Sequence, residues 1–312
     1  MEMSNVGVDV SKDRLDVHIV PEGEAFAVAH DGKGLAELIE RLSALRPERI
    51  GVEATGGFET IVAAALAGAS LPVVIINPAQ VRHFAQAVGQ RAKTDPIDAA
   101  MIARFVEATK PDVRPLADEA TRLLADLVAR RRQIIEMIVA ERNREKRTQI
   151  KRIRKSIARL IAALEKELAE IDAEIDASVR GSPAWREKED LLASVPGVGP
   201  ITARTLIAEM PELGSLDSKR IASLAGLAPF TRQSGQWKGK AMIAGGRKSV
   251  RSALFLAALA ACRHNPVLNA FRQRLIDAGK PKMLVAIAAA RKLLTILNAI
   301  LRDKQPWRSQ IA

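Results

Sequence analysis

Val6-Gly-Val-Asp-Val10 sets a carboxylate, Asp9, inside an apolar run short enough to be one strand. A carboxylate facing inward from a strand is costly unless it is paired or metal-bound. Residues 15–20 and 25–29 read as further strands, with turn residues Lys12-Asp13 and Glu22-Gly23 between them, which predicts a meander. Leu35, Leu38, Ile39, Leu42 and Leu45 keep helical spacing. Arg49-Ile-Gly-Val-Glu53 reads as a strand, 58–66 as a helix and 72–76 as a buried strand, and two helices follow over 79–88 and 96–109. Three meander strands, helix, strand, helix, strand is the order of an RNase H-like mixed sheet. Residues 1–115 are therefore predicted to be an α/β domain, although fold order alone gives no function.

Residues 116–180 contain neither Gly nor Pro. Ile150, Ile153, Ile157, Leu160, Leu164, Leu168, Ile171, Ile175 and Val179 step by three and four, a heptad seam, and Leu123, Leu127, Ile134 and Ile138 fit it less regularly. The stretch predicts long coiled-coil helices, either continuous or folded back near 143–148. It also predicts a homo-oligomer through the seam, a dimer at least, with a tetramer as the larger alternative and the subunit count left open. Residues 181–312 read as mainly helical, with Pro196-Gly-Val-Gly199 between two helices, an irregular hairpin over 230–244, and helices over 250–263, 266–278 and 281–301. The fold class expected is α/β plus all-α.

The 312 residues carry 48 Lys and Arg against 36 Asp and Glu, a net charge of +12 that is unevenly spread. Residues 1–115 are net −4, 116–180 net +3 and 181–312 net +13. Past Asp217 only Asp277 and Asp303 oppose 18 basic side chains. An acidic front and a basic back suit a part that holds metal and a part that holds phosphates; a basic surface kept for solubility is the plainer alternative. One cysteine, Cys262, and four histidines exclude a disulfide framework and a Cys/His zinc module. The absence of tyrosine excludes a tyrosine nucleophile. The start lacks a signal-peptide pattern, and the apolar run 61–76 is broken by Gly68, Ser70 and Pro72. Both point to a soluble protein of a reducing compartment, without a membrane partner.

Four carboxylates of the first block stand out. Asp9 is mid-strand, Glu53 ends its strand before Ala-Thr-Gly-Gly, and Asp95 and Asp98 flank a helix start, three apart and so on one side of it. Hard oxygen donors favour Mg²⁺ over zinc, and two ions bracketing a phosphate would serve both the attacking and the leaving oxygen. The plainer alternatives are that Asp95 caps its helix and that Asp9 partners Ser11 or Lys12 in a turn.

Gly7-Val-Asp-Val-Ser-Lys12, Val52-Glu-Ala-Thr-Gly56 and Lys93-Thr-Asp-Pro-Ile-Asp-Ala99 together resemble the DEDD transposases of bridge-RNA-guided insertion sequences, whose first domain is RuvC-like. Val195-Pro-Gly-Val-Gly-Pro200, Leu224-Ala-Gly-Leu-Ala-Pro229, Gln233-Ser-Gly235 and Gly246-Arg-Lys-Ser-Val-Arg251 resemble that family's second transposase domain. The resemblance implies a recombinase in which Asp9, Glu53, Asp95 and Asp98 hold Mg²⁺ and Ser234 attacks a DNA phosphate. It further implies a phosphoserine intermediate, exchange through a branched junction, and a structured guide RNA that pairs with target and donor DNA. Three parts are then expected: 1–115 metal-binding, 116–180 coiled coil, and 181–312 carrying the serine.

Ser234 has no base nearby in sequence, so its activation must come from elsewhere. Gly235 permits close approach of the backbone to a substrate. Arg232, Lys238, Lys240, Arg247, Lys248 and Arg251 would hold phosphates around it. Arg130, Arg131, Lys151, Arg152, Arg154 and Lys155 would do so along the coiled coil. Gly197 and Gly199 would bring backbone N–H groups to a phosphate, or simply link two helices. Trp237 would stack on a base or sit in a core, and Ser249 and Ser252 read as helix caps. The rivals are a junction endonuclease that uses water and a non-enzymatic nucleic-acid-binding coiled-coil protein.

Overall fold

Val6, Val8 and Val10 of β1 (Asn5–Val10) are buried with Leu15, Val17 and Ile19 of β2 (Arg14–Val20) and Val28 of β3 (Ala25–Ala29). The same apolar cluster takes in Leu38 and Leu42 of α1 (Gly32–Leu45), Ile50 and Val52 of β4 (Arg49–Glu53), Val62 and Leu66 of α2 (Phe58–Gly68), and Val73 of β5 (Val73–Ile76). Asp31 starts α1 by accepting the Gly34 N–H at 2.8 Å, which satisfies one of the donors a helix start leaves open. α3 (Pro78–Ala87) and α4 (Asp95–Thr109) complete the first unit.

The sheet order is β3-β2-β1-β4-β5. β1 runs antiparallel to β2 and parallel to β4, and β4 parallel to β5, so the sheet is mixed. α1 and α2 cover one face. On the other, Met101, Ile102 and Val106 of α4 pack with Val74, Ile76 and Val81. Two glycines admit α4 to that face. A Cβ at Gly7 would lie 2.2 Å from the Ala99 carbonyl oxygen and 2.4 Å from the Ala103 nitrogen, and one at Gly51 would strike Val106 and Ile102.

The computed structural model describes residues 3–54, 56–90, 94–113, 118–231, 233–235, 237–239 and 241–308, with the side chains of 237 and 238 left aside. It divides into two units, Met1–Leu116 and Ala117–Ala312. The second opens with α5 (Glu119–Arg147) and α6 (Lys151–Gly181), joined through residues 148–150. Arg142 meets Glu165 near that turn and Arg131 meets Asp172 farther from it, so the two helices run antiparallel. The heptad seam therefore closes within the chain: Ile157, Ile171, Ile175 and Val179 are buried in the unit's own core, while Ile150, Ile153 and Leu160 stay exposed.

That core continues through α7 (Pro183–Ala193), α8 (Pro200–Glu209) and α9 (Ser218–Leu224). The predicted 230–244 hairpin consists of two nested pieces. β6 (Pro229–Phe230) pairs with the last strand, β9 (Met242–Ile243), and β7 (Gln233–Ser234) with β8 (Trp237–Lys238) between them. α10 (Lys248–His264), α11 (Pro266–Asp277) and α12 (Lys282–Asp303) close the unit. By length and composition α12 would suffice to cross a membrane. Here Leu293, Leu294 and Leu297 bury it in the core, and Asn298 accepts from Gly214 and donates to Leu216.

Candidate functional site

Gly7 and Asp9 are two apart on β1 and so share a face, as Gly51 and Glu53 do on β4. That face carries α4. β1 and β4 pair Val8 with Val52, and one step further brings Asp9 level with Glu53. Because α4 touches β1 at Ala99 and Ala103, its first turn, with Asp95 and Asp98, projects toward the same end of the strand. All four carboxylates line one cavity of about 550 Å³, together with Ser11, Arg82, Gln86 and Gln90.

The cost of this arrangement falls on Asp9. Its carboxyl is pushed up to about 6 from the usual 3.8, first by burial, then by the charges of Glu53, Asp98, Asp95 and Asp16. Asp16 lies across from Asp9 in the β1–β2 register and is buried, but Arg14 Nε donates to it at 2.9 Å. The plainer readings of these acids find no support in the geometry. Ser11 turns back onto the Arg14 carbonyl at 2.7 Å, and the N-cap of α4 is Thr94 rather than Asp95.

A hard divalent cation suits this donor set, four carboxylates on one cavity wall, because it would offset both the burial and the like charges that raise the Asp9 carboxyl. Among the described residues no three acidic, histidine or cysteine side chains already stand as a group that would hold a metal ion. Asp16, Arg82, Gln86 and Gln90 escaped the sequence reading. The signal for Arg82 and Gln86 was there: they step by four on one face of α3, the helix that follows β5, whereas Gln90 lies past the end of α3.

Ser234 belongs to the second unit, exposed on β7 opposite Trp237, with Gly235 following at φ +56°. Among the described residues no side chain hydrogen-bonds to its hydroxyl. Arg232 and Lys240 lie outside the described residues, as do the side chains of Trp237 and Lys238.

The other basic candidates divide by what they already hold. Arg247 grips Glu212 with two bonds of 2.6 and 2.8 Å, Arg131 donates to Asp172 at 2.5 Å, and Arg251 donates to the Gly245 carbonyl at 2.6 Å. These guanidiniums tie elements together. Lys151, Arg152, Arg154 and Lys155 stand exposed along the first turns of α6, Arg130 on α5 is exposed and donates to Gln133 at 3.4 Å, and Lys248 is exposed at the start of α10.

Gly197 has φ +96° and packs against α10, where a Cβ would lie 2.3 Å from the Ala261 Cα; Gly199, the N-cap of α8, has open space before it. Ser249 is not a cap. Arg247 occupies the N-cap of α10, and Ser249 donates to Glu209, which Arg132 also pairs.

The family model for DEDD transposases of IS110 elements, described as a transposase, matches residues 6–166. A second, described as a transposase of the IS116/IS110/IS902 family, matches residues 189–273. A pilin gene-inverting protein of Moraxella bovis is 29% identical over all of this chain and 99% of its own length. An uncharacterized 43.6 kDa protein of insertion element IS110 from Streptomyces coelicolor is 32% identical over 39% of this chain and 30% of its own. The uncharacterized 42 kDa protein of IS900 from Mycobacterium paratuberculosis is 34% identical over 36% of this chain and 29% of its own.

Proposed function

The chain belongs to the IS110 family of DEDD transposases and is a DNA transposase or recombinase, and from that premise we propose that it breaks and rejoins DNA through Asp9, Glu53, Asp95, Asp98 and Ser234. The observation that carries the reading is the lining of one cavity by all four carboxylates, which come from three separate elements. The strand order supports an RNase H-like, RuvC-like scaffold for that site.

Mg²⁺ held by these carboxylates would polarise the scissile phosphate and activate an attacking oxygen. The chain's own residues do the rest. Asp9, partly buried and crowded by four neighbouring acids, is the carboxylate with most to gain from a cation. Arg82 and the amides of Gln86 and Gln90 can orient phosphate and sugar oxygens at the cavity wall. The Ser234 hydroxyl, exposed on a tight hairpin, attacks phosphorus; the Ser–O–P bond forms as the strand's P–O bond breaks, its proton passing to the departing oxygen or to solvent. Reversal of that exchange onto another strand rejoins the DNA without a high-energy cofactor.

Lys151, Arg152, Arg154, Lys155, Arg130 and Lys248 form the phosphate-contacting set in this reading, with Arg232, Lys238 and Lys240 flanking the serine. The exposed Ile150, Ile153 and Leu160 are the part of the seam left for a second copy. A guide RNA, by resemblance, would supply sequence by base pairing while the protein holds shape and backbone. The inverting activity named for the Moraxella relative is the kind of exchange this chemistry delivers.

The decisive experiment traps the intermediate. Labelled substrate DNA should remain attached to denatured wild-type protein, and Ser234→Ala should abolish attachment and cleavage together. Cleavage that persists in Ser234→Ala would replace this reading with a water-using endonuclease. Sequencing RNA that copurifies tests the guide separately: a discrete species supports it, and random cellular RNA removes it.

A further inference from the structure

A cavity of about 740 Å³ opens between α10, α11 and α12, well within the range of small-ligand sites and away in sequence from both the carboxylates and Ser234. Arg263, Arg272, Lys280 and Lys282 line it, each exposed, and no carboxylate shares the lining. Among the described residues none of the four has an ion-pair partner. Below them the wall is apolar: Leu259, Ile276, Val285 and Ala286, of which Leu259 and Ile276 remain 43% and 36% exposed.

We infer that this cavity binds an unpaired nucleotide of a nucleic-acid strand, its base against Leu259, Ile276, Val285 and Ala286 and its phosphates on Arg263, Arg272, Lys280 and Lys282. Four cations without an acid call for a polyanion. Yet a duplex offers them only backbone, because its bases are stacked inside and leave the apolar wall bare. An unpaired nucleotide meets both demands at once: the flat face of its base covers apolar surface and its phosphates neutralise the rim. Asn269, also in the lining, carries the donor and acceptor that a base edge would use. An enzyme that exchanges strands exposes unpaired nucleotides. The inference needs nothing from the carboxylate or serine chemistry, so cleavage by the chain can fail or succeed independently of it.

The test uses full-length protein and fluorescence anisotropy with a thymidine decamer, a uridine decamer and a duplex of equal length. Arg272→Ala with Lys282→Ala should weaken single-strand binding about tenfold and flatten its salt slope by about 1.4. Ala286→Trp, which fills the cavity at constant charge, should weaken single strands about fivefold and leave the duplex unchanged. Leu259→Gln, at an exposed position and also at constant charge, makes the same test should the tryptophan variant fail to fold. Whichever decamer binds more tightly identifies the strand as DNA or RNA.

Cys262, the chain's single cysteine, also lines the cavity; it is 7% exposed and burial pushes its thiol up, so it reacts slowly, and the change in that slow rate reports occupancy. The preferred decamer should slow its modification by methyl methanethiosulfonate, and the duplex should not. Equal losses for duplex and single strand, an unaltered single-strand affinity in both cavity variants, or unprotected Cys262 would each overturn the inference.

Discussion

Gly7 and Ala99 meet backbone to backbone: a Cβ on Gly7 would lie 2.2 Å from the Ala99 carbonyl oxygen. This approach is what lets α4 lie on β1 closely enough to bring Asp95 and Asp98 to the end of the strand that holds Asp9. Gly7→Ala must push the helix off the sheet, at an expected cost of about 2 to 3 kcal/mol. Urea unfolding measures it. Gly68→Ala, where a Cβ meets nothing within 4 Å, is the control and should change stability little. Equal midpoints for the two variants would contradict the close approach.

Asp9 makes a second prediction, with a defined sign. Its folded carboxyl titrates at about 6, above the usual 3.8, so the native state binds more protons than the unfolded chain between those values. Stability from this group is therefore greatest below about pH 4 and is lost as pH rises through 6. Without divalent cation, Asp9→Asn should stabilise the protein at pH 7 by about 1 kcal/mol, allowing for solvent screening of a partly exposed group. The gain should vanish near pH 3.5. Millimolar Mg²⁺ should raise the melting temperature of wild type more than that of Asp9→Asn; equal shifts would separate the ion from this carboxylate.

Arg247 and the α6 basic turn should respond to mutation in opposite ways. Arg247 is held by two bonds to Glu212, a partner only 16% exposed, and links the start of α10 to the loop after α8. Arg247→Ala is expected to cost about 2 kcal/mol of stability. Replacing Lys151, Arg152, Arg154 and Lys155 together with alanine should leave the melting temperature within a degree or two. That quadruple variant should weaken duplex binding and lower its salt slope by up to about 3.6. A stable Arg247→Ala protein with a reduced salt slope would reassign that arginine to the DNA surface.

Much of the first unit was legible because its strands and helices obey local periodicity. Ala25–Ala29 and Arg49–Glu53 coincide with the runs read from the sequence, and Asp9, Glu53, Asp95 and Asp98 do meet at one cavity. What the sequence could not reveal is partnership. The 150–179 seam has the same spacing whether it packs on another copy or folds back on α5. The choice rests on the turn at 148–150, which carries neither Gly nor Pro to mark it. Likewise Arg131, Arg247 and Arg251 look like phosphate ligands by type and neighbourhood. Their acceptors, Asp172, Glu212 and the Gly245 carbonyl, are identified by tertiary structure, except that Gly245 is near in sequence. α9 went unread because seven residues hold too little of a helical period.

The pair Gly197 and Gly199 shows how structure divides two residues that sequence treats alike. Gly197 combines φ +96° with a virtual Cβ 2.3 Å from the Ala261 Cα, so alanine there meets both backbone strain and a clash with α10. Gly197→Ala should cost about 3 kcal/mol or more and lower every activity through the fold. Gly199 caps α8 in an extended conformation with open space before it. Gly199→Ala should therefore cost only about 0.5 kcal/mol. Because its fold survives, that variant alone can report on a phosphate at the start of α8. A severalfold loss of DNA affinity at an unchanged melting temperature would mean that the α8 N–H groups approach a strand through the space a Cβ would fill. Unchanged affinity would leave both glycines with the single task of turning one helix into the next.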